Sequence, residues 1–261
     1  MRWALAAGCA LWWAMVGPAV ASGCFPVASL ELRLMPAALR TAALPAGATA
    51  RLTFLGHASF LLETVGGVTA VTDYNSYIRA PVTPDIVTMN NAHGTHYTDM
   101  VEPGVRHVLR GWNPSGGLAQ HDVTYLDLRV RNIPTSVHGR GGAQGNSNSI
   151  FVFETGDLCI AHLGHLHHVL TDQHLAELGV IDVVLVPVDG AYTMSQPEMA
   201  AVIRQINAPV VIPMHYFGSE VLGRFLALMD DDHEVVLKET PEMVLACATL
   251  PRRSVIVLPG R

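Results

Sequence analysis

Arg51-Leu-Thr-Phe-Leu-Gly-His-Ala-Ser-Phe-Leu-Leu-Glu-Thr64, then Val65-Gly-Gly67, then Val68-Thr-Ala-Val-Thr-Asp73, is the stretch from which the fold is read. Two apolar and β-branched runs flank a glycine pair, a pattern that predicts a β-hairpin. Beyond it, Asp85-Ile-Val-Thr-Met89 reads as a buried strand that stops at Asn90-Asn91 and releases a polar, histidine-bearing loop. Further strands are predicted over 123–132, 149–154, 158–163, 181–186 and 210–214. Helical spacing runs over 170–178 and again over 196–206, the second opening with Pro197 and Glu198 in its first turn. Strands dominate the first half and alternate with helices in the second. No linker divides this part of the chain, so one layered α/β domain is expected over 51–261.

The chain has 261 residues, 50% apolar and 15% charged, enough to bury one substantial core. A net charge of -6 with 16 Lys and Arg argues against a phosphate-binding surface, so nucleic acid is not an expected partner. The start differs from the rest: Arg2 is followed by an almost wholly apolar run from Ala4 to Val16, and Gly17-Pro18 breaks it. This predicts a secretory signal over 1–21, with a lead segment over 22–50, and a periplasmic or otherwise exported protein. Small residues at Ala19 and Ala21 suit cleavage after Ala21. Ala21-Ser-Gly-Cys24 is a weak lipobox, so membrane attachment through a lipidated Cys24 stays open, as does an uncleaved anchor. Cys24, Cys159 and Cys247 show no Cys-x-x-Cys spacing, which disfavours a thiolate metal site. Cys159 and Cys247 read either as a pair in an oxidising compartment or as buried free thiols in strands.

The histidines fall in clusters: Asn91-Ala-His93-Gly-Thr-His96, His138, His162-Leu-Gly-His165-Leu-His-His168, and Pro213-Met-His215-Tyr216. Three of these follow apolar strands, and loops leaving one sheet edge can converge on a point. Neutral imidazole is the commonest side-chain ligand for zinc, so a transition-metal site follows.

Taken in order, Leu55-Gly-His-Ala-Ser-Phe60, Asp73, the His93/His96 loop, His138, the loop around Gly164, Gly190-Ala-Tyr-Thr-Met194 and Pro213-Met-His-Tyr216 resemble the metallo-β-lactamase superfamily, in its lactonase-like branch. The resemblance spans about Arg51 to Tyr216. It implies an αββα sandwich and a metal-dependent hydrolase, with metal-activated water attacking an ester, lactone, amide or phosphoester of a small-molecule substrate. It also implies two metals, usually zinc; the departures of this chain from the family pattern leave one ion or two open, and other transition metals as well.

The departures are coordinated. The family's His-x-His-x-Asp-His loop has Asn91 at its first His and Thr95 at its Asp. Its Gly-Asp-Leu-Gly-His becomes Gly164-His165-Leu166-His167-His168, which puts imidazole where a bridging carboxylate stands. Both carboxylates are lost and His165 is gained. The expected ligands are therefore His93, His96, His138, His165 and His215, with Asp73, Asn91 and His168 behind them or against substrate. Which residues would act as catalytic base is left open. A non-catalytic metal-binding protein and an inactive scaffold on the same fold are the alternatives. His57 reads as a structural histidine, and Asp189-Gly190 as a turn.

Overall fold

Residues 43–139 and 142–260 are described by a computed structural model, apart from the side chains of 138–145. The expected signal, the lead segment up to residue 42 and Cys24 lie outside the described residues. Among the described residues, no helix is long and apolar enough to cross a membrane.

The expected hairpin is a three-stranded meander. The run 51–64 splits into β1 (Ala50–Gly56) and β2 (Ser59–Thr64), paired antiparallel with Phe54 opposite Phe60, before the glycine turn leads to β3 (Thr69–Val71). The break falls at Gly56 and His57, whose φ angles of 120° and 54° reverse the chain in the left-handed region. The interruption Gly56-His57-Ala58-Ser59 lacks a strong turn pair, and the strands on both sides are buried and do not alternate, so the run reads as one strand.

Next come β4 (Ile86–Met89), β5 (His107–Arg110), β6 (Asp122–Tyr125), β7 (Leu128–Gly139), β8 (Gly142–Thr155), β9 (Leu158–His162), α1 (Asp172–Leu178) and β10 (Val183–Pro187). They are followed by α2 (Gln196–Ile206), β11 (Val210–Met214), α3 (Ser219–Met229), β12 (Glu234–Leu237), β13 (Glu242–Leu245) and β14 (Ser254–Val257). The α2 boundaries match those expected, because Ser195 and Glu198 close a capping box around Pro197. The strand expected over 123–132 is two strands, turned at Leu126 with φ 51°.

The first sheet has the order β13-β1-β2-β3-β4-β5 and the second β12-β14-β11-β10-β9-β8-β7-β6. Their inner faces share one core, in which Leu52, Phe60 and Leu62 meet Phe151, Phe153, Ile160, Leu185 and Ile212. Along β10, Val183 and Leu185 face that core, while Val184 and Val186 turn outward to Met199 and Val202 of α2 and Phe225 of α3. A strand covered on both faces reads as an unbroken apolar run for this reason. The outer face of the first sheet is covered differently. Val71, Val87 and Met89 lie under Ile78, Val82, Tyr97 and Trp112, which come from irregular segments. The two facing sheets of the expected αββα sandwich are present; among the described residues the helices lie against the second sheet, and irregular segments cover the first.

Cys159, buried in β9, is disulfide-bonded, whereas Cys247 is a free thiol. The two therefore do not pair with each other, and Cys159 is not a free thiol either.

Candidate metal centre

Five strand ends deliver the site. Asp73 follows β3, the 90–98 loop follows β4, the 163–168 loop follows β9, Asp189 follows β10 and His215 follows β11. All five are carboxyl ends, where side chains from neighbouring strands can meet over the sheet edge. His93, His96, His165 and His215 meet there, offering ring nitrogens that all lie within 4.8 Å of one another, and all but His93 are buried.

The hydrogen bonds determine which nitrogen each ring turns inward. His96 Nδ1 lies 2.7 Å from Asp73 Oδ2, and His215 Nδ1 lies 3.0 Å from Asp189 Oδ1. Opposite carboxylates, both Nδ1 atoms carry the hydrogen, so both Nε2 atoms carry lone pairs. Those Nε2 atoms are 3.2 Å apart. Two lone pairs at that distance repel unless a cation sits between them. For metal–nitrogen bonds of about 2.0–2.1 Å, the edge of a tetrahedral coordination shell is about 3.3 Å, which fits the pair. His165 is arranged alike: Nδ1 is 2.8 Å from His167 Nε2, while its buried Nε2 has no hydrogen-bond partner. His93 Nδ1 is 2.8 Å from Thr95 Oγ1. The donor set, its tautomers and the bare His165 Nε2 all fit a transition-metal ion.

Burial keeps His93, His96 and His165 neutral, the form that binds metal. It holds His96 down to about 2, assisted by the neighbouring His215 and His93, and pushes His165 well below the ordinary imidazole range. Asp189 is held well below the carboxylate range. Burial works to raise it, but hydrogen bonds from His215, Thr193 and the amides of Ala191 and Tyr192 outweigh that effect. Fully buried Asp73 is pushed up to about 6 by desolvation, against the opposing pull of His162 and the amide of Asn90.

Among the residues expected to serve the site, the structure separates several. The side chain of His138 lies outside those described. Asn91 engages through its backbone, donating N–H to Ser147 O, and it is Asn90 that reaches Asp73 Oδ1, at 3.2 Å. His168 stands away from the cluster, taking the Ser136 N–H on Nε2 and contacting Val169 O. It lines a separate cleft of about 340 Å³ with Gln173 and His174. Its neighbour His167 stands behind His165 instead, because Gly164, at φ 60°, turns the loop so that residues 165 and 167 share a side.

Three residues at the site are not among those the sequence pointed to as ligands or their supports. Asp189 is more than a turn residue, because its carboxylate orients His215. His57 stacks edge-on against His215 with ring centroids 4.3 Å apart and against His96 at 5.0 Å, and its carbonyl accepts the His215 N–H at 2.7 Å. Phe217 closes the same wall, 5.4 Å from His215 and 5.8 Å from Tyr192. His57, Asp73 and His215 all have positive φ, at 54°, 42° and 54°. Non-glycine residues pay for that conformation, and such strain gathers at functional sites.

Two expectations follow. Asp189→Asn keeps the shape but loses the charge behind His215, so metal affinity falls about 10–100-fold, checked by competition with a chromophoric chelator. The metal-free protein loses stability on acidification. His57, held to about 3 by burial and the facing imidazoles, and His96 at about 2 resist protons that the unfolded chain binds below about 6.5. Their contribution is thus present above that pH and lost below it. Asp73 acts in the opposite sense, favouring the fold as pH falls from about 6 toward the ordinary carboxylate value, but it is one group against several. The melting temperature of chelator-treated protein is expected to be lower at pH 5 than at pH 7.5.

The comparisons with known proteins agree with this geometry. A family model described as a beta-lactamase superfamily domain matches residues 51–215. A UPF0173 metal-dependent hydrolase from Methanoculleus marisnigri is 31% identical over 183 residues, covering 64% of this chain and 80% of that protein. A second protein of that name, from Thermococcus kodakarensis, is 28% identical over 224 residues, covering 72% and 96%. Among solved structures, a metallo-β-lactamase superfamily protein from Thermotoga maritima superposes with a TM-score of 0.59 at 32% identity, over 81% of this chain and 100% of that one. With its family match running from β1 to the histidine that follows β11, and with two facing sheets that gather the histidine loops at one edge, the chain belongs to the beta-lactamase superfamily and has the metallo-β-lactamase fold.

Proposed function

We propose that this chain is an exported, zinc-dependent hydrolase of small-molecule esters, lactones, amides or phosphoesters. The observation that carries the reading is the convergence of four imidazoles whose outer nitrogens are all engaged and whose inner nitrogens face one another. The names of the UPF0173 relatives and of the Thermotoga protein support metal dependence and hydrolysis. Export rests on the sequence of residues 1–21.

His93, His96, His165 and His215 would hold a divalent ion, which would supply Lewis acidity toward a substrate carbonyl or phosphoryl oxygen and lower the pKa of water. The protein's own residues do the positioning. Asp73 and Asp189 hold His96 and His215 in the required tautomer, and Thr95 and His167 do the same for His93 and His165. Neutral His57 walls the cluster beside His215. Phe217 and Tyr192, 54% and 63% exposed, give the approach an aromatic edge that sheds water readily and suits the apolar part of a substrate.

The test is turnover of a panel of esters, lactones and phosphodiesters by zinc-loaded protein, with chelated protein and His215→Ala as controls. Hydrolysis that depends on both metal and His215 supports the reading. A protein that binds zinc tightly and turns over nothing is a metal-binding protein rather than an enzyme. N-terminal sequencing of protein from fractionated cells tests export, with a mature start at Ser22 expected.

A further inference from the structure

We infer that the centre takes one metal ion, and that His165 and Thr95 are the residues that limit it to one; the inference rests on the metal-site reading above and concerns ion count alone. A carboxylate can bridge two ions because it has two oxygens. A neutral imidazole has one lone pair, so it serves one ion. At position 165 that lone pair is the buried, unengaged Nε2, while Nδ1 is tied to His167 Nε2 at 2.8 Å. To bridge, His165 would have to give up that hydrogen bond and lose its remaining proton. Nor can the ring swing aside easily. Its backbone N–H is held by Asn148 Oδ1 at 2.7 Å, and the preceding Gly164 is packed between Asn148 and Asn90.

Thr95 closes the other route. A hydroxyl is a poor ligand for a transition metal, and this one is engaged with His93 Nδ1 at 2.8 Å. Charge points the same way. An imidazole donor brings no negative charge to an ion, and the carboxylates beside the cluster, Asp73 and Asp189, stand one residue further out, behind His96 and His215. Two carboxylates balance one divalent ion. Among the described residues no carboxylate would stand between that ion and a second one at the separation of about 3.5–4 Å found in paired sites.

The experiment strips the full chain with chelator, reloads it with excess Co2+, desalts it and counts metal per chain by elemental analysis. One equivalent is expected for the wild type, rising toward two in the T95D/H165D double variant, which restores both carboxylates. Two equivalents in the wild type would overturn the inference while leaving the metal site intact. A double variant that folds by circular dichroism yet still takes one equivalent would overturn the role given to these two residues. No bound metal in folded wild type would instead defeat the proposed metal-dependent function itself. Electron paramagnetic resonance of the Cu2+-loaded wild type gives an answer independent of the variants: an isolated signal with nitrogen hyperfine structure is expected, and a spin-coupled pair would contradict it.

Discussion

The His96→Ala protein is expected to lose its metal, with affinity falling by more than the 10–100-fold typical of losing a group behind a ligand. His96 is buried, sits at the narrowest point of the cluster 3.2 Å from His215, and transmits the charge of Asp73 to the centre. Alanine removes the donor and leaves the Asp73 carboxylate buried without its imidazole. The fold has a reason to survive: Asp73 stays bonded to Asn90, and its rise to about 6 shows that it already resists ionising when buried. Elemental analysis after desalting checks the loss, and thermal unfolding checks the fold. A variant that keeps a full equivalent of metal would remove His96 from the ligand set.

Gly164→Ala is expected to be strongly destabilising, costing about 2–5 kcal/mol. At φ 60° the position disfavours any side chain, and a Cβ there would drive into Asn90 Nδ2 and Asn148 Oδ1. Both amides are engaged. Asn90 joins Asp73 on β3's end to the Ser149 amide of β8, accepting from it at 2.8 Å, and Asn148 holds the His165 amide and donates to Thr135. The methyl therefore disturbs the link between the two sheets at the point where the metal loops cross. Urea unfolding of metal-free protein measures the cost, and a loss below about 0.5 kcal/mol would show that the amides can move aside. Gly94, whose added Cβ would meet nothing, serves as the control.

The residues around the cluster also show why part of the site is legible in the sequence and part is not. His93, His96, His165 and His215 announce themselves because ligand loops must leave strand ends, and apolar strands followed by histidine are visible without a structure. Asn90 looked like a strand terminator, and Asp189 like the start of a turn. Nothing in their immediate neighbours says that one reaches 17 residues back to Asp73 or that the other reaches 26 residues forward to His215. His57 was hidden for a different reason. The turn that points it at the cluster lies between two buried strands, and its Gly-His-Ala-Ser sequence holds none of the Asn-Gly or Asp-Gly pairs that mark a reversal. Asn91 and His168 were each placed one residue from the position that matters, Asn90 and His167. In an irregular loop the side on which a residue emerges depends on local φ and ψ, which spacing does not encode. In the second sheet β9, β10 and β11, almost wholly apolar, were found. The short β5, β12 and β13, partly exposed, were not, and neither was β14, which is buried but only four residues long.

The most direct test of the central claim, that imidazoles from four loops hold the ion, is X-ray absorption spectroscopy of the zinc-loaded full chain at the zinc edge. The account predicts a shell of nitrogen donors at about 2.0–2.1 Å with the outer-ring scattering of about four imidazoles. A shell dominated by carboxylate or water oxygens, with little imidazole scattering, would place the metal elsewhere and contradict the account.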